Sequence, residues 1–312
     1  MQPILDKLQQ LQKKNQQSKN VDSYRVFHGR GQCFPGLEFI CIDFFKPILL
    51  LTCYSEPPAG WLKELMTQAS NYLSPGISGV LVQRRYLQGA PTETIWGQLP
   101  DALYAQRGEL RFHLPIAQQQ NTGFFLDMEP GRRWLEQQVA GKRVLNLFAY
   151  TCAFSVVAVA AGAAQVVNVD MSSRALQLGR YNHQLNQLDA AASAFLAENI
   201  LKSWGRIKRR GPYDLVIIDP PSYQPGSFVA AKDYGRVVRR LPELMPEGGL
   251  VLACLNAPEL GLEFLTAVFA EQCPGCTLLQ RLEPHEDFPD INPDQQLKLL
   301  VFDYQPTPQL NC

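Results

Sequence analysis

Four short stretches of this 312-residue chain carry side chains able to do chemistry, and each directly follows an apolar run. They are Phe148–Phe154 (FAYTCAF), Asp170, Glu198-Asn199, and Asp219-Pro220-Pro221-Ser222-Tyr223. Apolar runs of four to six residues before them read as buried strands, so the four stretches read as strand ends. In open α/β sheets, ligands bind outside the carboxyl ends of the strands, at the topological switch point. Strand, loop, helix, strand and then an acid is the order of a nucleotide-cofactor site.

The loop narrows the cofactor. Dinucleotide folds place glycines after the first strand so that the backbone can approach a pyrophosphate. FAYTCAF has no glycine, and the chain has no GxxxxGK[ST]. A cofactor without phosphate removes that requirement, and S-adenosylmethionine is one. A plain strand–turn–helix packing unit is the alternative reading of the loop. Asp170 lies nineteen residues after Thr151, where a carboxylate can accept both ribose hydroxyl protons. A solvated strand end or a helix cap is the alternative there. The amide of Asn199 can serve the amine and ring nitrogen of adenine together; capping the segment ILKSWGRIKRR would use it otherwise. Pro220 and Pro221 fix a rigid, donor-free backbone whose carbonyls face outward, with Tyr223 beside it as a stacking surface. A structural turn would also explain the two prolines.

Elements that could position these residues are legible. After the polar linker IAQQQNTG the sequence alternates strand and helix, which predicts a parallel sheet covered on both faces. Strands are predicted at 143–147, 165–169, 193–197, 213–218, 250–255, 276–281 and 297–303. Helices are predicted at 130–139, 152–161, 173–186, 200–209, 233–244 and 259–271. No helix separates the last two strands, so they predict an antiparallel end hairpin. The fold class is α/β: a Rossmann-like domain over 116–312, preceded by a small α+β domain over 21–115. That smaller domain shows six strand-like segments and one amphipathic helix, WLKELMTQASNYL. Residues 1–20 carry Ile4, Leu5, Leu8 and Leu11 at helical spacing among lysines, predicting a docking helix or a solvated polar one.

Composition excludes several classes. Hydrophobic residues make up 46% and charged residues 19%, so the chain is not disordered. Net charge is zero, but residues 1–115 hold 12 Lys/Arg against 9 Asp/Glu, and residues 116–312 hold 17 against 20. A mildly basic front half suits a polyanion, and ordinary surface variation explains it equally well. The start lacks a secretory core and no apolar run is long enough for a bilayer, so a cytoplasmic protein without a membrane partner is expected. The eight cysteines read as reduced thiols. Cys273-Pro-Gly-Cys276 lacks the second pair that a zinc site needs, so it reads as a turn and no metal is expected.

TGFFLD (Thr122–Asp127), LNLFAYT (Leu145–Thr151), VDMS (Val169–Ser172) and DPPS (Asp219–Ser222) together resemble the Class I methyltransferases that modify large-subunit ribosomal RNA. Tyr24–Phe45 is similar to the opening of their small central domain. The resemblance is to the branch making 5-methylcytosine and to the module making 7-methylguanine. It implies an S-adenosylmethionine-dependent enzyme with RNA as its partner. It implies cofactor contacts from Thr122, Phe124 and Asp127, and from Asn146 with Phe148, Ala149, Tyr150 and Thr151, the last four at the methionine end. It places Asp170 at the ribose, Asn199 and Ile200 at adenine and Asp219 near the sulfonium, with Met171 a further cofactor contact. Asp219, Pro220, Pro221 and Tyr223 would position the base.

The chain departs from that pattern. Cys152 stands where relatives usually carry glycine, and Asn199 where they carry aspartate. The amino-terminal PUA-type domain of the cytosine enzymes is expected to be lacking, with the first twenty residues in its place. Methylating cytosine carbon 5 requires a thiolate to add to carbon 6. The position expected for that nucleophile holds Asn256, and Cys254 lies inside a strand, so guanine N7 is the favoured target. Lys232, Asp233, Tyr234, Arg236, Arg239 and Arg240 are candidates to reach a phosphate backbone. Two rivals remain: a protein or small-molecule methyltransferase, and a non-catalytic RNA-binding assembly factor.

Overall fold

The computed structural model describes residues 1–18, 20–73, 76–116, 120–224 and 226–306. Residues 117–119 of the predicted linker lie outside the described residues. The chain divides into two compact units: Met1–Asp127 with His285–Asn292, and Met128–Pro284 with Pro293–Cys312.

The first unit comprises α1 (Gln2–Gln17), β1 (Tyr24–His28), β2 (Ile40–Phe45), β3 (Ile48–Cys53), α2 (Trp61–Leu73), β4 (Gly79–Arg84), β5 (Thr92–Gly97), β6 (Tyr104–Arg107) and β7 (Leu110–His113). β1 to β5 form one sheet in chain order, and β6 pairs with β7. Only β3 and β4 run parallel, because α2 carries the chain back between them. Ile4, Leu5, Leu8 and Leu11 of α1 are buried with Leu65, Ala69 and Leu73 of α2, so the amino-terminal helix is docked. β6 was not legible in the sequence, because YAQR has no run of β-branched residues.

The second unit comprises α3 (Glu129–Gln138), β8 (Arg143–Leu147), α4 (Ala153–Ala160), β9 (Gln165–Asp170), α5 (Ser173–Leu185), β10 (Ser193–Ala197), α6 (Trp204–Lys208), β11 (Leu215–Ile218), β12 (Tyr223–Gln224), β13 (Phe228–Val229), α7 (Ala230–Val238), α8 (Leu241–Leu244), β14 (Gly249–Leu255), α9 (Leu262–Gln272), β15 (Cys276–Leu282) and β16 (Lys298–Tyr304). Seven strands form one sheet in the order β10-β9-β8-β11-β14-β16-β15. The first five are parallel, and β16 is antiparallel to both β14 and β15, as the strand–helix alternation predicted. The predicted helix over 200–209 is a 3-10 turn, Ile200–Lys202, followed by the short α6. The predicted helix over 233–244 begins earlier, at Ala230, and is split into α7 and α8. Pro242 accounts for the split, since it offers no N–H to a preceding carbonyl.

Alternate strand residues face opposite layers. Leu145, Leu147, Val167, Val169, Val216 and Ile218 pack with Val237 and Val238 of α7 and Phe269 of α9. Val144, Val166, Leu215 and Ile217 pack with Leu135 of α3 and Phe154 and Ala158 of α4. Strand order reverses between β8 and β11, the switch point at which a crevice opens. Register fixes what stands there. Leu147 pairs with Val169 and with Ile218, Ile218 pairs with Ala253, and Ala197 pairs with Asp170. Phe148, Asp170, Glu198 and Asp219 therefore leave the sheet at one end.

Tyr234 of α7 secures that end. It is fully buried, and its hydroxyl donates to the Cys254 carbonyl at 3.1 Å with the Ile218 carbonyl at 3.4 Å. Tyr234→Phe keeps the ring and removes the donor to both strand ends. The expected cost is about 1 kcal/mol, read as a Tm drop of roughly 2–4 °C in thermal denaturation.

Candidate cofactor site

The β8–α4 loop is held in a conformation that glycine would normally supply. Phe148, Tyr150 and Cys152 have φ of 59°, 45° and 61°. Each left-handed non-glycine residue costs about 1–2 kcal/mol. What holds them is a set of fixed partners. The Ala149 N–H donates to the Val169 carbonyl at 3.1 Å, and the Cys152 N–H donates to the Ala149 carbonyl at 2.7 Å. Asn182 Nδ2 of α5 donates to the Thr151 carbonyl at 3.1 Å. Ala149, Thr151 and Cys152 are buried.

Asp170 reaches the same loop from β9. Its Oδ2 accepts from the Tyr150 N–H at 2.9 Å, and its Oδ1 accepts from the Ser172 N–H at 2.8 Å. Burial raises its pKa above the ordinary carboxylate range, and these two N–H bonds oppose the rise. A carboxylate has about four acceptor positions, so two backbone donors leave capacity for a pair of hydroxyls. Burial, and then the same carboxylate, raise the pKa of the Tyr150 phenol. Met171 beside it is exposed.

The remaining predicted residues stand at the same sheet end. Glu198 N–H donates to the Asp170 carbonyl at 2.9 Å. The Glu198 carboxylate accepts from the Ser203 hydroxyl at 2.9 Å and pairs with Arg206, and these hold its pKa down. Asn199 opens the 3-10 turn, but its side chain makes no capping bond there, so the capping alternative does not occupy its amide. Ile200 is buried beneath it. Beyond β11, Pro220 is buried and Tyr223 is 66% exposed on the ribbon formed by β12 and β13. Phe228 of β13 packs edge-on against Phe148 of the loop, with centroids 4.9 Å apart. Sequence reading missed this ribbon and Phe228; the Pro225-Gly226 dipeptide between short apolar pairs was the available turn signal.

Several expectations are redirected. Asn146 sits inside β8 and is buried, where its Nδ2 donates to Asn168 Oδ1 at 2.9 Å. Asn168 Nδ2 donates to Ser155 Oγ at 2.9 Å, which lies 3.0 Å from His183 Nε2, and His183 Nδ1 lies 3.2 Å from Ser193 Oγ. Burial pulls the His183 pKa down to about 4, so the ring is neutral at pH 7 and the polar chain is uncharged. Tyr234, a candidate phosphate contact, is instead in the core. Arg236 pairs with Asp233 at 2.7 Å and Arg240 with Glu243 at 2.8 Å. Thr122, Phe124 and Asp127 belong to the first unit. There Thr122 Oγ1 donates to the Phe124 carbonyl at 2.9 Å, and Phe124 packs on Phe112 at 4.6 Å. Cys273 and Cys276 flank a turn with their sulfurs 3.5 Å apart, and no third ligand completes a metal site among the described residues.

These residues fit S-adenosylmethionine. Phe148 and Tyr150 carry side chains at left-handed positions where a phosphate loop would place glycine, and this cofactor has no phosphate. Asp170 retains acceptor capacity of the kind a ribose diol uses, and the Asn199 side chain makes no capping bond, leaving an amide of the kind adenine pairs with. Cys152 does not crowd that side: it is fully buried with Leu176 of α5, and a β-carbon at Gly179 would overlap its sulfur.

Cys152 and Gly179 are therefore a matched pair. Gly179→Ala should cost about 1–3 kcal/mol by overpacking, reduced by about 1 kcal/mol of helix propensity. Cys152→Gly in that background removes the sulfur and relieves the left-handed strain, and should recover most of the loss. Urea unfolding of the two single variants and the double variant measures the coupling; additive effects would dismiss the pairing.

The sequence profile of the S-adenosylmethionine-dependent methyltransferase family matches residues 24–303. The chain is 31% identical over 259 residues to Ribosomal RNA large subunit methyltransferase I of Shigella boydii, covering 79% of this chain and 64% of the relative. The Escherichia coli protein of that name matches to the same extent. The chain thus spans about two thirds of the length of these curated relatives. Among solved structures, SMU.776 complexed with SAH is 26% identical, with a TM-score of 0.82 over 96% of this chain and 80% of that one. With the profile spanning most of the chain and the phosphate-free loop, strand-end acid and DPPS turn at one end of its sheet, this chain belongs to the S-adenosylmethionine-dependent methyltransferase family.

Proposed function

We propose that this protein methylates a nucleobase of RNA, and specifically of ribosomal RNA, with guanine N7 as the accepting atom. The observation that carries the reading is the convergence of Asp170, the β8–α4 loop and Asp219-Pro-Pro-Ser-Tyr223 at the switch point, with Tyr223 exposed beside it. The curated relatives' name supports ribosomal RNA.

S-adenosylmethionine supplies, when bound, an electrophilic methyl group. The chain's residues do the rest by placement. Asp170 fixes the ribose through its remaining lone pairs. The proline-locked carbonyls of Asp219 and Pro220 accept from a base edge, and the Tyr223 ring offers a face for stacking. Guanine N7 carries a lone pair and no proton, so transfer needs no general base and rests on proximity and orientation. Cytosine carbon 5 would need a thiolate beside the base. Cys254 is fully buried inside β14, Cys152 is buried under the loop, and Asn256 is the exposed residue after β14. That arrangement supports N7 over carbon 5.

Two measurements test the reading. Asp170→Ala should lose at least tenfold in calorimetric affinity for S-adenosylmethionine while still unfolding cooperatively; unchanged affinity would refute the assigned site. In the parent protein that affinity should weaken on acidification at a pH above the ~4 of an ordinary aspartate, because the raised pKa lets the carboxylate protonate earlier. Nucleoside mass spectrometry of ribosomal RNA from a strain lacking the gene should show 7-methylguanosine reduced. Loss of 5-methylcytidine instead would overturn the N7 reading. No lost nucleoside would point to a protein or small-molecule substrate, and no cofactor binding at all to a non-catalytic factor.

A further inference from the structure

β1, β3 and β4 run in the same direction: β1 and β3 are each antiparallel to β2, and β4 is parallel to β3. Their carboxyl ends therefore share one end of the first unit's sheet. The residues just past those ends are Arg30, Tyr54 and Arg85. The Arg30 guanidinium carbon lies 4.3 Å from the Tyr54 ring centroid, and that of Arg85 lies 5.7 Å from it.

Nearby arginines are neutralised and these two are not. Arg25 makes a forked pair with Asp43 at 2.7 and 3.0 Å, and Arg84 pairs with Glu93 at 2.6 Å. Among the described residues, neither Arg30 nor Arg85 has a carboxylate partner; Arg85 donates to Asn121 Oδ1 at 3.3 Å. Arg30 is exposed, and Tyr54 and Arg85 are half-buried. Arg30 adds to the positive charge at His28: burial first, then Arg25 and Arg30, drive the His28 pKa down to about 3.

Two uncompensated guanidinium groups on one ring suit a particular ligand. A guanidinium is a planar fork whose geometry matches phosphate oxygens. Stacking on an aromatic face orients the fork in advance, so less side-chain freedom is lost on binding. The first 115 residues also carry the chain's basic excess, with 12 Lys/Arg against 9 Asp/Glu. We propose that Arg30 and Arg85, held on Tyr54, form a phosphate-binding site that takes the backbone of the substrate RNA. This rests on the RNA reading above and adds to it residues of the first unit that grip the strand.

Fluorescence anisotropy of a short labelled single-stranded RNA with the full-length protein tests it. Arg30→Gln/Arg85→Gln should weaken binding roughly tenfold per arginine. The slope of log affinity against log salt should flatten by about 1.4, at ~0.7 per phosphate released. Tyr54→Leu should weaken binding less, and Tyr54→Phe should retain it. Calorimetric affinity for S-adenosylmethionine should match the parent in every variant, which shows that the second unit is intact. If the parent binds RNA and the double variant binds as well with an equal salt slope, the site is refuted and the RNA reading stands. If the parent binds no RNA, both fall together.

Discussion

The carboxylate of Asp170 is the interaction on which the site depends. It accepts one N–H from the loop after β8 and one from the start of the segment leading into α5. It thereby fastens a loop with three left-handed non-glycine residues to the neighbouring strand. Such backbone would relax if its partners were removed, because each residue sits about 1–2 kcal/mol above its preferred conformation. One side chain thus shapes the loop and keeps acceptor capacity for the ribose contact proposed for it. Burial makes that acceptor harder to ionise than a surface aspartate, and the two backbone donors hold it toward the charged form.

The layers beneath make that arrangement rigid. A parallel sheet buried on both faces lets α4 and α5 pack on one side and α7 and α9 on the other. Under the loop, the chain from Asn146 through Asn168, Ser155 and His183 to Ser193 links β8, β9, α4, α5 and β10. A satisfied polar network of this kind specifies one packing, because any shift would leave a buried group without a partner. Tyr234 does comparable work at the ends of β11 and β14, from which the Asp219 turn and the Asn256 loop depart.

Both units mix paired and unpaired cations. In the second unit, Arg206, Arg236 and Arg240 are each paired with a carboxylate, whereas no salt bridge joins Lys232 or Arg239 to a carboxylate among the described residues, and Arg180 lies over the Phe195 ring at 4.6 Å. In the first unit, Arg25 and Arg84 are paired while Arg30 and Arg85 stack on an aromatic ring. Proximity in sequence to the site did not by itself show which cations carry a counter-charge. Tyr234 shows the same limit: flanked by Lys232 and Arg236 in sequence, it is a core residue because its helix turns it inward.

Much of this protein was written in its sequence. Continuous apolar runs and strand–helix alternation pointed to the seven-stranded sheet and its antiparallel end, because a parallel sheet covered on both faces buries nearly every side chain of its central strands. Absent glycines, a strand-end acid and the DPPS turn pointed to a phosphate-free cofactor. What the sequence could not decide was where side chains of ambiguous role would point. Asn146 looked like a cofactor contact and became part of a buried amide chain, since its parity on β8 faces Asn168. Cys152, a departure from the glycine that relatives usually carry, proved to be the partner of Gly179, since the packing of α5 against the loop shows which side the sulfur occupies. Pairing, parity and counter-charge arise between residues far apart in the chain, and tertiary structure alone brings them together.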